Sequence, residues 1–270
     1  MKTIGAVARA LDILDLFSEQ VAELGIGEIA LAAGLHKSTA AGLVYTLEAR
    51  GYLAQNPANR KYRLGARLVE RAAVFLNQIE VRRLAQPHLR ALLLEVDESL
   101  NLAIRDGAEV VYIERVSSSK TLGMRAGIGR RAPCYSTALG KALLATLSEA
   151  EVRRLLPPAP FPAFTPSTLT CAEGLLADLA ETRRRGFALD DEENEPGGRC
   201  VAAAVCDHSG QAVAALSISA PTQRFPREQI SRYGQKVAAA ARAVSAEMGY
   251  REERTLPSPA PPSRQRDGGE

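Results

Sequence analysis

A chain of 270 residues with a net charge of +3 is long enough for one large domain or for two smaller ones, each with its own core. Its apolar share is that of an ordinary globular protein and no apolar run approaches the ~20 residues of a membrane span. Asp12 and Asp15 break the only leader-like stretch, so a cytoplasmic protein is expected. Cys134, Cys171, Cys200 and Cys206 are scattered without CxxC or paired Cys/His spacing, which argues against a disulfide framework or a zinc module.

Along the chain, Ile4, Val7, Leu11, Leu14 and Phe17 recur at three- and four-residue steps and predict a first helix with those residues inward. A short second helix, "IGEIALAAG", should bury Ile26, Ile29 and Ala30 and end at Gly34. Within "GLHKSTAAGLVYTLEARGYL" (34–53), Ala40, Leu43, Val44 and Leu47 form one apolar stripe, and Gly51 follows where a left-handed cap suits glycine. The opposite face, with Lys37, Ser38, Thr39, Ala41, Gly42 and Tyr45, is small, hydroxylated and basic. Two helices, a glycine turn and a third helix make a helix-turn-helix. After them "YLAQ" and "KYRL", separated by "NPAN", read as a hairpin wing.

Charge follows this division. Residues 1–36 hold Lys2 and Arg9 against Asp12, Asp15, Glu19, Glu23 and Glu28, a net of −3. Residues 37–63 hold Lys37, Arg50, Arg60, Lys61 and Arg63 against Glu48, a net of +4. Such local asymmetry is the footprint of a phosphate-facing surface. Lys37, Ser38 and Thr39 lie in the first turn, where free N–H groups favour a phosphate, and the two hydroxyls would equally serve as caps. Ala41, Gly42 and Tyr45 would face base edges, with Arg60 and Lys61 adding phosphate contacts from the wing. Packing against the wing is the alternative for Tyr45.

Residues 66–80 predict an amphipathic linker helix with Leu68, Ala72, Phe75 and Ile79 on one side. That side either packs on a neighbouring domain or pairs with a second copy. From residue 81 a helix, two strands turning at Asp106-Gly107, the helix "STALGKALLATL", a proline-rich loop (157–166), a helix capped by Gly186, a strand, a hairpin turning at His208-Ser209-Gly210 and a final helix (226–249) follow. They predict an α+β domain with an antiparallel sheet and helices to one side. The tail, 251–270, is expected to be disordered.

In this domain "RRAPCYSTALGKALLA" passes from strand to helix near Ser136 or Thr137, which leaves the N–H groups of Ala138 and Leu139 for an acceptor such as a carboxylate. "AVAALSIS" places Ser217 and Ser219 on one sheet face and Leu216 and Ile218 on the other. The serines are either satisfied locally or reserved for a ligand. A P-loop is absent from "STALGKA", the three histidines are too scattered for a metal site, and no cofactor is expected.

Six segments in order, "VARALDILDLF", "GLHKSTAAGLVYTLEARGYL", "YRLGARL", "STALGKALLA", "RRRGFALDDEE" and "GRCVAAAVCDHSGQAVAALSIS", resemble the IclR family of bacterial transcriptional regulators over residues 4–250. The resemblance implies a winged helix-turn-helix over 1–65, a dimerising linker helix over 66–80 and a GAF-like effector-binding domain over 81–250 with an antiparallel sheet flanked by helices. It further implies double-stranded operator DNA, a small-molecule carboxylate (an organic, sugar or aromatic acid) and a homodimer or homotetramer as partners, without catalysis. The positions matching the family's effector pocket are Met124, Ala138, Leu139, Asp190, Cys200, Ser217 and Ser219, and Gly198 would enlarge it. Gly42 stands where relatives often carry arginine. The competing expectations are a redox-sensing regulator that uses pocket cysteines and a GAF-type cysteine reductase, both of which need a low-pKa thiol.

Overall fold

The computed structural model describes residues 3–117 and 127–251, so Met124 and nearly all of the tail lie outside the described residues. Two compact units divide after Ile79.

The first unit holds α1 (Gly5–Asp15), α2 (Ile26–Ala32), α3 (Lys37–Ala49), β1 (Leu53–Gln55), β2 (Tyr62–Leu64) and α4 (Arg67–Gln78). Its core gathers Ile13, Ile29, Ala30, Ala40, Val44, Leu53 and Tyr62. The predicted stripe of α3 therefore faces inward, with Leu43 and Leu47 packed at the core's edge. Gly51 has φ +76°, and the bonds Gly51 N–H to Glu48 O (2.8 Å) and Tyr52 N–H to Leu47 O (2.9 Å) complete a Schellman end, turning the chain directly into the wing. β1 and β2 pair antiparallel, and Leu24 adds a bridge to Tyr62.

The face assigned to α1 needs correction. Ile13 is wholly buried, whereas Ile4, Val7 and Leu11 are exposed. The helix carries two apolar strips that share Leu14 and Phe17, and the strip running through Ile13 meets the core. Periodicity finds both strips and cannot choose between them. α4 likewise buries no residue and leaves Val69, Val74 and Phe75 open.

The second unit comprises α5 (Glu80–Val96), β3 (Ser99–Asp106), β4 (Glu109–Val116), β5 (Arg131–Pro133), α6 (Ala138–Leu144), α7 (Glu149–Leu155), α8 (Ala172–Arg185), β6 (Ala188–Asp191), β7 (Gly198–Cys206), β8 (Ala212–Pro221) and α9 (Ile230–Glu247). Six strands form one antiparallel sheet in the order β5-β4-β3-β8-β7-β6. Helix α7 went unread in the sequence, although Ser148 and Glu151 form a capping box at its start.

Helices cover both faces of the sheet, not one side as expected. α6 packs over Ala103, Ala202 and Ala215. α5 and α9 pack on each other and on the strands, over the face that carries Leu100, Leu102, Val201, Leu216 and Ile218. The physical reason is visible in β7 and β8, whose near-continuous apolar runs supply core residues to both faces.

Candidate functional site

Two surfaces gather the residues singled out from the sequence. On α3, Lys37, Ser38 and Thr39 occupy the first turn and are exposed, as are Gly42 and Tyr45, while Ala41 is half-buried. Tyr45 keeps 54% of its surface open, so it does not pack into the wing. Nor do Ser38 and Thr39 cap the helix: His36 occupies the cap position, no side chain bonds the first-turn amides, and Ser38 Oγ lies 3.2 Å from His36 Nδ1. They stand two and three residues past the cap position, inside the helix. The exposed face of α3 therefore presents a lysine, two hydroxyls, free first-turn N–H groups and a phenol.

The wing is tied down by acids at and just before α2. Asn56 and Asn59 donate to Glu23 at 2.9 and 2.7 Å, and Lys61 Nζ lies 3.1 Å from Glu28. Hydrogen bonds from Asn59 and Asn56 hold the Glu23 carboxyl below its usual range. The Gly25 N–H and Lys61 do the same for Glu28. Arg60, exposed at the tip, adopts φ +61°, a left-handed position supported by its N–H bond to Asn56 O (2.8 Å) and by Gln55, whose amide donates to Arg60 O (3.1 Å). Of the wing cations, Lys61 is thus shared with an acid of α2.

The second surface is a pocket of about 540 Å³ in the C-terminal unit, part of it open to solvent. Ala138, Leu139, Asp190, Cys200, Ser217 and Ser219 all line it, as does Gly198. Strand register explains how residues so far apart in sequence meet. Asp190 pairs with Cys200, Cys200 with Ser219 and Ser219 with Ser99, a single row across four strands on one face of the sheet. The next row sets Asn101 opposite Ser217.

One wall is the start of α6, where Thr137 caps by accepting the Gly140 N–H at 3.1 Å and the N–H groups of Ala138 and Leu139 precede the intrahelical ladder. Gly140 lets this helix press on the turn that follows β5, since a Cβ there would stand 2.2 Å from Cys134 Cα.

Asp190 has both of the roles open to it, turn residue and pocket wall. Its Oδ1 accepts the N–H groups of Glu193 (2.8 Å) and Asn194 (3.3 Å), which shapes the loop between β6 and β7. Burial outweighs those bonds and pushes its carboxyl up to about 7. Behind it Lys141, wholly buried, joins Glu193 at 2.6 Å and Asp178 at 3.0 Å. Thr165 and Thr168 donate to the carbonyls of Glu192 and Glu193 at 2.6 Å each, so the loop is fixed from outside as well.

Sequence reading missed the polar residues that complete the pocket: Asn101 and Ser99 on β3, Tyr112, Arg115 and Arg130, and Asn194 and Glu195 in the β6–β7 loop. The alternation of Ser99 and Asn101 between leucines in "SLNL" was the available signal. The two arginines bring positive charge, and burial lowers the pKa of Arg115.

Burial argues against thiol chemistry at three of the cysteines. All four cysteines are free. Burial pushes the Cys134 thiol up to about 12 and raises those of Cys200 and Cys206, the reverse of what a reactive thiolate needs. Among the described residues no cluster of His, Cys, Asp and Glu could hold a metal ion, and no helix is long and apolar enough to cross a membrane.

Comparison with known proteins identifies both domains. The IclR helix-turn-helix domain family matches residues 6–57, and the family described as bacterial transcriptional regulator IclR C-terminal matches residues 73–246. The chain is 44% identical to the HTH-type transcriptional regulator XynR of Escherichia coli K12 over 93% of its length and 99% of that protein. Among solved structures it resembles the Thermotoga maritima IclR (TM-score 0.76, 31% identity, 92% of this chain and 100% of that one). It also resembles an IclR homologue of Microbacterium hydrocarbonoxydans in complex with 4-hydroxybenzoate (TM-score 0.79, 26% identity, 90% and 98%). With both family domains matched in order and the fold shared, the chain belongs to the IclR family of DNA-binding bacterial transcriptional regulators.

Proposed function

We propose that this regulator is effector-responsive: a small carboxylate binds the C-terminal pocket and changes the affinity of the winged helix for double-stranded operator DNA. The observation that carries the reading is the row Asp190, Cys200, Ser219 and Ser99, continued by Asn101 and Ser217, which puts polar groups on a sheet face where a core would otherwise form. Arg115 and Arg130 supply charge for an acid, and the N–H groups of Ala138 and Leu139 supply donors. That the Microbacterium relative was solved with an aromatic hydroxy acid supports the ligand class. Met124, outside the described residues, belongs to the same proposed set.

On the DNA side, Lys37, Ser38, Thr39 and Arg60 contact phosphates in this reading, Ala41, Gly42 and Tyr45 approach base edges, and Lys61 exchanges Glu28 for a phosphate. A second copy of the chain is the remaining partner, because the exposed apolar strips of α1 and α4 need cover. Effector and DNA are linked only through a difference in effector affinity between DNA-competent and incompetent states.

The test is binding of the purified protein to its own upstream DNA across a salt series, with and without a panel of carboxylates. Saturable binding that weakens with salt and shifts with one acid is expected. Binding that ignores every acid would overturn the pocket assignment and leave the DNA surface standing.

A further inference from the structure

Asn101 is a pocket residue whose hydrogen bonding is left half complete among the described residues. It lies on β3 facing the cavity, with 2% of its surface exposed. Its amide nitrogen donates to Ser217 Oγ at 3.1 Å and to Ser219 Oγ at 3.3 Å, which uses both N–H groups. Its Oδ1, with two lone pairs, has no partner among the described residues. A buried carbonyl oxygen without a donor is a standing cost to the folded chain. Leucines on either side, Leu100 and Leu102, point to the opposite face and are wholly buried, so an apolar side chain at 101 would have extended the sheet's core at no such cost.

Two other acceptors nearby are already engaged. Asp190 Oδ1 holds two backbone N–H groups, and Asn194 Oδ1 accepts from Ser136 at 3.1 Å. The open acceptor at Asn101 therefore calls for a donor that the ligand brings.

We propose that Asn101 is the specificity-determining residue of the pocket and reads a hydroxyl on the effector, so that the effector class is a hydroxy acid and not a simple, keto or ether-substituted carboxylate. This rests on the effector-pocket reading above. The two serines hold the side-chain amide in place between them, so a ligand hydroxyl meets it at a set position. Discrimination then arises because an analogue lacking the hydroxyl leaves that acceptor unpaired.

The experiment measures affinity of the full chain by calorimetry for three matched series: 4-hydroxybenzoate, benzoate and 4-methoxybenzoate; 3-hydroxybutyrate, butyrate and acetoacetate; D-gluconate and its 3-deoxy analogue. In the tightest series the wild type should prefer the hydroxylated member by at least about tenfold. Asn101→Leu should bring that preference close to unity, a result that a merely structural asparagine would not produce. If Asn101→Leu fails to fold, Asn101→Ser is read by the same criterion of preference.

Equal affinity for the deoxy or methoxy member, or a preference that survives the substitution, overturns the assignment of Asn101 and leaves the pocket intact. Should no acid of any series bind at millimolar concentration while the protein still binds DNA, the effector-pocket reading falls and takes the assignment with it.

Discussion

Lys141 Nζ lies 2.6 Å from Glu193 Oε1, and the lysine is wholly buried. This contact ties the helix that walls the pocket to the loop that Asp190 shapes, because the Glu193 N–H is one of the two that Asp190 accepts. Asp178 on α8 shares the ammonium at 3.0 Å, and Arg185 approaches Asp178 at 3.7 Å. Burial raises the Glu193 pKa against the pull of Lys141, so the carboxylate depends on its partner.

Lys141→Met should therefore be costly, at about 3–5 kcal/mol, because it leaves buried carboxylates without their cation. Urea unfolding at neutral pH measures it. A loss under about 1 kcal/mol would mean that Arg185 takes over the pairing of Asp178 and that Glu193 is neutral or hydrated.

Asp190 sets a pH dependence whose sign follows from burial. Its folded pKa of about 7 stands above the ordinary value of 3.8. The neutral form is thus favoured by folding: the contribution to stability is complete below about pH 4 and is lost as pH rises through about 7. Asp190→Asn keeps the acceptor for the Glu193 and Asn194 amides. It should match the wild type near pH 4 and exceed it at pH 8 by at most about 4 kcal/mol. Binding of an anionic effector should weaken in the wild type between pH 6 and 8.5, and the variant should flatten that profile. Identical stability profiles for the two proteins would refute the elevated pKa.

Gly42 offers a test of close backbone approach. A Cβ added there would meet nothing within 4 Å, and the position is in the middle of α3. Gly42→Ala should raise the stability of the N-terminal unit by about 1 kcal/mol, the helix-propensity difference. The same substitution should lower operator affinity if the glycine lets the helix backbone near the groove. Unchanged or tighter binding would show that the missing side chain has no part in the contact.

Phe75 and Val74 on α4 are about half exposed, at 52% and 49%. Since α4 buries nothing, the double substitution Val74→Glu/Phe75→Glu should change the stability of a single chain by no more than about 0.5 kcal/mol. If this strip is the seat of a second copy, sedimentation should show the wild type as an oligomer and the variant shifted to monomer. An oligomer that survives the change would move the contact elsewhere, with the exposed strip of α1 next to be tested.

The lysine and hydroxyl face of α3, the glycine ends at Gly51 and Gly186, and the turns of both hairpins were legible in the sequence because each depends on local chemistry: helical period, left-handed φ and turn residues. Six of the seven expected pocket positions line one cavity, a convergence expected from resemblance and not from spacing. What the sequence could not decide were choices between equivalent local patterns. The two apolar strips of α1 are alike in period, and only packing against α3 selects Ile13. The helices on both faces of the sheet, and the row that brings Asp190, Cys200, Ser219 and Ser99 together, depend on strand order and register. So does the open acceptor of Asn101, which exists because β8 lays Ser217 and Ser219 beside it across 116 and 118 residues of chain. Local propensity acts over a few residues, whereas these relationships arise when distant strands bury a shared face, and only the folded chain contains that information.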